Sequence, residues 1–345
     1  MRLRREREDA GPEWAPSERR EPSTRRRVLL PLALFVLTVF STSVAGGVAF
    51  SVTLMSILVS HEMGHYLVAR RHGVQASLPH FIPLPPIFML GTLGAVIGMR
   101  TDQATRNQLM DIGAAGPIAG FIVAVPAMVI GIHLSPLTSL ELTFLQRYFE
   151  PSMLVTFGSM LLSPSEGPMM FFGDSLLSAG LIRLLRPDVR EGWDLVAHPV
   201  LIGAWAGFLV TAINLLPMGQ LDGGHVLYAW DPSRAERRAR GVYRVLLALG
   251  VVGLAVHGPT MLYGLLGSSI PQGVFDAVRP LYAWFNIAFL IWAMFGRLTG
   301  PHHPPVRGEG EPLTPLRRAT AIACLVIGVL TFMPSPAWLD GVWLT

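Results

Sequence analysis

The residues best placed to do chemistry are His61-Glu62-Met63-Gly64-His65, set inside a run of apolar residues long enough to cross a bilayer. Two histidines four positions apart lie on one face of a helix, where their imidazoles can share a Zn²⁺. Glu62, between them, is placed to take a proton from the metal's water. Ionisable side chains are costly in lipid, so three of them in one apolar segment point to function by default. The plainer alternative is a pair of histidines satisfied by neighbouring helices, and HEMGH alone does not separate the two.

A catalytic zinc site takes three protein ligands and keeps one position open. The third is sought in Asn214-Leu215-Leu216-Pro217-Met218-Gly219-Gln220-Leu221-Asp222-Gly223-Gly224-His225. Asp222 follows an apolar helix, at the same depth as His61 and His65, and the neighbouring proline and glycines let the chain unwind and turn the carboxylate inward. The competing reading is a helix-ending turn acid, since Asp-Gly is a common turn pair. We expect one Zn²⁺ per chain on His61, His65 and Asp222, with Glu62 as general base. Asn214, about two helical turns before Asp222, is expected to donate to a developing oxyanion or to hold the substrate backbone; interhelical packing is its alternative. His225 is a tempting extra ligand but falls at the rim, with three ligands already present. His72, His80, His133, His198 and His257 have no partner motif. His302 and His303 lie in a Pro/Gly-rich loop and are read as non-catalytic.

These residues must be held by helices in a membrane. Hydrophobic residues make up 51% of the chain and charged ones 14%, against roughly 25% charged in an average soluble domain. Windows near the ~20 residues needed to span lie at 28–50, 51–69, 109–134, 198–217, 243–268, 280–297 and 318–334. The third carries Gly116-Pro117-Ile118-Ala119-Gly120 and the fourth Gly203-Ala204-Trp205-Ala206-Gly207. Such GxxxG faces let membrane helices approach closely, and they favour a three-helix catalytic core of spans two, three and four. Cys324 is the sole cysteine, which rules out an intramolecular disulfide and a cysteine zinc cluster.

All the basic residues are arginine, 27 in number. Arg25, Arg26 and Arg27 precede the first span, which puts the N-terminus in the cytoplasm. Seven alternating spans then leave only Arg147, Arg183, Arg186, Arg190 and Arg279 outside, with the C-terminus external. The net charge of +4 is explained by these basic loops and calls for no nucleic acid. Residues 1–27 read as a disordered cytoplasmic tail. Residues 28–298 form the main domain, with an extracytoplasmic insertion at 135–197. Residues 299–345 are a cytoplasmic loop and a last transmembrane helix. Within the insertion, 171–186 reads either as an amphipathic stretch suited to a membrane surface or as an ordinary extracytoplasmic loop. Residues 73–108 are apolar but too proline-rich for a spanning helix, so a re-entrant extended loop or β-hairpin is expected there.

HEMGH in one span and NLLPMGQLDGG in a later one, together with Asp111-Ile112-Gly113-Ala114-Ala115-Gly116-Pro117-Ile118-Ala119-Gly120, resemble the site-2 protease family of intramembrane zinc metalloproteases, M50-type. The branch most resembled includes the plant chloroplast ethylene-dependent gravitropism-deficient proteins and their bacterial relatives. The likeness covers about residues 50–298. It implies His61, His65 and Asp222 as ligands, Glu62 as base and Asn214 as a substrate or oxyanion contact. It also implies that a substrate transmembrane helix unwinds and pairs with the loop at 73–100 as a strand. Many bacterial members carry a PDZ domain where 135–197 lies; that segment is short and lacks a clear strand pattern, so none is expected.

The expectation is therefore an all-α polytopic membrane protein of six to seven transmembrane helices, in the inner cell membrane. It would hydrolyse peptide bonds in or near transmembrane segments of other membrane proteins, as in regulated intramembrane proteolysis. Two alternatives stand beside it. One is an HExxH peptidase cutting at the membrane surface, which usually takes a downstream glutamate in an ExxxD-like helix that is absent here. The other is a non-catalytic scaffold or transporter, which would be free to lose the His/Glu/His/Asp set.

Overall fold

A computed structural model of the chain describes residues 24–85, 88–100, 103–139, 170–190, 193–266, 287–308, 310–334 and 337–339, with positions 271, 273, 277 and 281. The expected tail before residue 24, the middle of the insertion at 140–169 and most of 267–286 lie outside the described residues.

Helix α1, Thr24–Arg71, is too long for a single crossing. Its 48 residues would extend about 72 Å at about 1.5 Å each, against a hydrocarbon core of roughly 30 Å. It is two arms, broken at Gly47, whose φ of 84° belongs to the left-handed region that glycine tolerates. The arms fold back on each other. Thr42 and Ser51 hydroxyls meet at 2.6 Å, although nine residues of straight helix would part them by about 13 Å. The Ser51 hydroxyl also donates to the Val39 carbonyl at 3.2 Å. The reversal sits where the windows 28–50 and 51–69 meet.

After α1 come β1, His80–Pro83, and β2, Thr92–Val96, which pair antiparallel. The first arm of α1 braces them: Ser41 donates to the Gly91 carbonyl at 2.7 Å, and Phe35 meets Phe81 edge to face. Helix α2, Arg106–Leu134, opens on a capping box in which the Thr105 hydroxyl accepts from the Gln108 amide. Strands β3, Leu137–Ser139, and β4, Met170–Phe172, follow, then helix α3, Leu176–Leu185, and strand β5, Trp193–Leu195. Strand β3 pairs with β5.

Helix α4, Pro199–Asn214, is all but continuous with α5, Asp222–Trp230, through a tight turn. Helix α6, Pro232–Leu265, starts eleven residues before the window at 243–268, because its arginine-rich first turns are helical as well. Helices α7, Phe289–Thr299, and α8, Pro315–Thr331, come next, and β6, Ala337–Leu339, pairs with β4. Among the described residues, three helical stretches are long and apolar enough to cross a membrane: Val28–Arg71, Arg106–Leu134 and Pro232–Pro259. Helices α3, α4 and α7 are apolar but shorter. The short strands β3 to β6 are additions that the all-helical expectation did not include.

The second arm of α1, α2 and α4 form the centre, and glycines set their spacing. A Cβ on Gly207 would stand 2.6 Å from Ile57 Cδ1, one on Gly203 2.8 Å from Thr53 Cβ, and one on Gly64 2.6 Å from the Ala115 carbonyl oxygen. Ordinary contact begins near 3.4 Å, so small residues are what let these backbones approach. Phe50, Leu54, Ile57, Leu58, Met128, Ile132 and Phe208 fill the space between them and are all but inaccessible.

Two polar clusters mark the ends of the bundle. At the HEMGH end, Asp111 takes a bidentate pair from Arg317, 2.8 and 2.6 Å, and meets His72 at 3.0 Å. This ties α1, α2 and α8 together, and it gives His72 the partner that no motif announced. At the other end, Arg186 donates to the Ser135 carbonyl at 2.6 Å and the Ile132 carbonyl at 3.2 Å, closing the C-terminus of α2.

Candidate metal centre

His61 and His65 project from the second arm of α1 towards α2 and α5. The i,i+4 spacing brings their Nε2 atoms to 3.2 Å. Asp222, in the first turn of α5, reaches His61 Nε2 at 3.1 Å with Oδ2 and His65 Nε2 at 3.2 Å with Oδ1. One ligand atom from each of the three lies within 4.8 Å of the others. Donors held to a tetrahedral ion by bonds of about 2.0–2.1 Å stand about 3.3 Å apart, so the spacing suits Zn²⁺. Both histidines are buried.

The donor chemistry fits a cation too. The His65 Nδ1–H donates to the Ile112 carbonyl at 2.7 Å, which leaves Nε2 as a lone pair aimed at the centre. The Asn214 amide lies 3.3 Å from His61 Nε2 and offers it a hydrogen. Burial alone would raise the Asp222 carboxyl, but the imidazoles of His65 and His61 hold it well below the usual carboxylate range.

The local sequence explains why these groups can converge. Gly116 faces His65 so closely that a Cβ there would fall on the imidazole. Gly120 lies against His61, where a Cβ would stand 3.2 Å from the histidine Cβ. The turn between α4 and α5 leaves no room beside Gly223 and Gly224: added Cβ atoms would strike the carbonyls of Leu215, Leu216 and Met218. The Asp222-Gly223-Gly224 run is thus a carboxylate followed by two residues that must be small. Helix α5 has no side-chain cap, and Asp222 in its first turn complements the partial positive charge there.

Glu62 is buried between the two histidines, 6% exposed. Among the described residues no hydrogen bond or ion pair commits its carboxylate. Asn214 is the last residue of α4. His225 points elsewhere: its Nδ1 meets His303 Nε2 at 2.9 Å, and His303 stacks on Tyr228 at 4.2 Å. Burial, reinforced by the facing His303, pushes His225 down to about 4. His303, read as non-catalytic from its loop, makes a structural contact instead, holding its end of that loop against α5. Arg106 anchors the other end of α5, donating to the carbonyls of Ala229 at 2.6 Å and Trp230 at 2.7 Å, and to Glu311 at 2.9 Å. Neither Ile112, which acts through its backbone, nor Arg106 carries a sequence signal of its role. Gly116 had one, the GxxxG pattern, which spoke of packing and not of the histidine.

The profile of peptidase family M50 matches residues 49–256. Among curated proteins the chain is 30% identical over 197 residues to "Probable zinc metalloprotease EGY2, chloroplastic" of Arabidopsis thaliana, covering 57% of this chain and 31% of that protein. The Oryza sativa subsp. indica protein of the same name is 30% identical over 210 residues, 61% and 33% of the two chains. "Probable zinc metalloprotease EGY1, chloroplastic" of Arabidopsis thaliana is 31% identical over 220 residues, 64% and 36%. The chain thus spans about a third of the length of these relatives. No solved structure matches. The family match begins just before the arm that carries His61 and His65 and runs past Asp222 into α6, and the chain belongs to peptidase family M50.

Proposed function

We propose that the chain is an intramembrane zinc metalloendopeptidase that hydrolyses peptide bonds in or near the transmembrane segments of other membrane proteins. The observation that carries this reading is the convergence of His61 Nε2, His65 Nε2 and the Asp222 carboxylate, buried among apolar helices beside an uncommitted Glu62. The names of the EGY relatives support the same chemistry.

His61, His65 and Asp222 hold the metal in this reading. Bound there, Zn²⁺ supplies the Lewis acidity that polarises a carbonyl and acidifies water. The Glu62 carboxylate accepts the proton of the attacking water and delivers it to the leaving amine. The Asn214 amide, 3.3 Å from His61 Nε2, is placed to donate to the substrate carbonyl oxygen as negative charge develops on it. The surrounding helices exclude bulk water, which strengthens each of these interactions.

The finer architecture belongs to the same proposal. Six to seven spans alternate through the membrane, the N-terminus and the metal centre face the cytoplasm, and β1 and β2 form a re-entrant hairpin beside the site. Residues 28–298 are the protease domain with the 135–197 insertion, and 299–345 add a loop and a last span in the inner cell membrane. The Arg317–Asp111 pair at one end of the bundle and the β4–β6 pairing at the other support that alternation, since they put the two ends of α8 at opposite faces. Release of membrane-tethered regulators is the biology that suits such an enzyme.

The test is purification of the full chain in detergent, zinc analysis, and cleavage of a reconstituted transmembrane peptide with Glu62→Gln as control. Near-stoichiometric zinc and cleavage lost only in the control support the reading. A metal-loaded chain that cuts equally well with Glu62→Gln refutes it.

A further inference from the structure

A cavity of about 300 Å³ opens where α6 meets α7 and the residues that follow it. Its lining includes Arg240, Tyr243 and Arg244 from α6 and Arg297 from α7, with Met218 from the turn before Asp222. Arg240 is committed to Glu236 one helical turn away, and His302 also approaches that carboxylate, at 3.3 Å. Among the described residues, Arg244 and Arg297 have no ion-pair partner and no hydrogen bond. Two uncompensated guanidinium groups therefore face one concave site.

Its position says what would fill it. Exposed apolar side chains begin within a turn of these arginines, Val245 on α6 and Met294 on α7. That is the profile of a membrane boundary, apolar on one side and cationic on the other. Gly296 lets Met218 seat against α7, a Cβ there being 3.1 Å from Met218 Cε. Gly219, with φ of 51°, packs on the carbonyls of Thr299 and Gly300. One wall of the cavity is thus the turn that delivers Asp222.

We propose that this cavity binds the phosphate of an anionic phospholipid headgroup, held by Arg244 and Arg297, with the acyl chains along α6 and α7. Guanidinium groups pair with phosphate oxygens in a bidentate fork, and a basic pocket between membrane helices is a recognised headgroup site. An occupied cavity braces the Met218–Leu221 turn from below.

Native mass spectrometry of the detergent-purified full chain, titrated with phosphatidylglycerol or phosphatidylcholine, tests this. The wild type should retain phosphatidylglycerol in preference. Arg244→Gln with Arg297→Gln should weaken it about twenty-fivefold, about fivefold for each arginine. The double change to lysine, which keeps the charge but loses the bidentate fork, should recover only part of the affinity, and Arg183→Gln, at the far end of the bundle, should change nothing. If the double glutamine variant does not fold, the single variants carry the test, each losing about fivefold. Equal retention of phosphatidylglycerol by wild type and the glutamine variants overturns the site. Inorganic phosphate that binds alone and displaces the lipid at comparable affinity overturns the lipid as its occupant and leaves a free anion.

Discussion

Gly116→Ala should dismantle the metal centre without replacing a ligand. Besides falling on the imidazole edge, an added Cβ would stand 2.6 Å from His65 Cε1, against an ordinary contact of 3.4 Å. The ring would have to retreat by at least about 0.8 Å, the difference between those two distances. It cannot do so freely. Its Nδ1–H is tied to the Ile112 carbonyl at 2.7 Å, and its Nε2 faces Asp222 at 3.2 Å. Ligand positions tolerate about 0.2 Å before a metal site degrades. A shift of this size should cost at least the 10–100-fold in affinity typical of a disturbed second shell, and overpacking should add about 1–3 kcal/mol of destabilisation. The assay is zinc content after dialysis against a chelator of graded strength, with a thermal melt to show that the chain is folded. Gly180→Ala is the control: it lies in α3 with nothing within 4 Å of the new methyl, and helix propensity should make it neutral or stabilising by about 1 kcal/mol. A Gly116→Ala chain that holds zinc as tightly as Gly180→Ala would show that His65 is not seated as described.

His65→Ala and Asp222→Ala should each lose zinc, whereas Glu62→Gln should keep it while cleavage drops by about 10²–10⁴-fold; zinc retained by both ligand variants would sink the assignment. Ala95→Pro, which removes a backbone donor from β2 opposite Phe81, should lower cleavage at normal zinc content, and unchanged cleavage across a proline scan of 92–99 would place the substrate elsewhere. Arg106→Ala removes three hydrogen bonds to the carbonyls of Ala229, Trp230 and Glu311 and should cost about 2–3 kcal/mol, seen as a lowered melting temperature; an unchanged melt would mean that α5 is anchored by other contacts. In a Cys324→Ala background, Ser17→Cys should resist an impermeant thiol reagent in intact cells and Thr345→Cys should react; the reverse pattern would invert the proposed topology.

The pairing of the two histidines at the candidate site was legible in the sequence because it rests on local spacing. Helical periodicity alone puts His61 and His65 on one face, and the apolar runs around them require helices in lipid. Asp222 was legible for a weaker reason, an acid where an apolar helix ends. The family resemblance read from HEMGH, NLLPMGQLDGG and the Asp111–Gly120 segment agrees with the family that the chain belongs to. What the sequence left open is whatever depends on two distant segments meeting. Periodicity carries no information on which carbonyl will accept the His65 proton, so Ile112 could not be found from it. Nor could a Pro/Gly-rich loop announce that His303 would meet His225, 78 residues away along the chain, or that Arg317 would close on Asp111 across 206. Gly116 shows the division most plainly. Its pattern predicted a close approach of helices, and only the packed structure decided that what approaches is the imidazole of His65, because the partner across a helix interface is fixed by the register of the whole bundle and not by either strand of sequence alone.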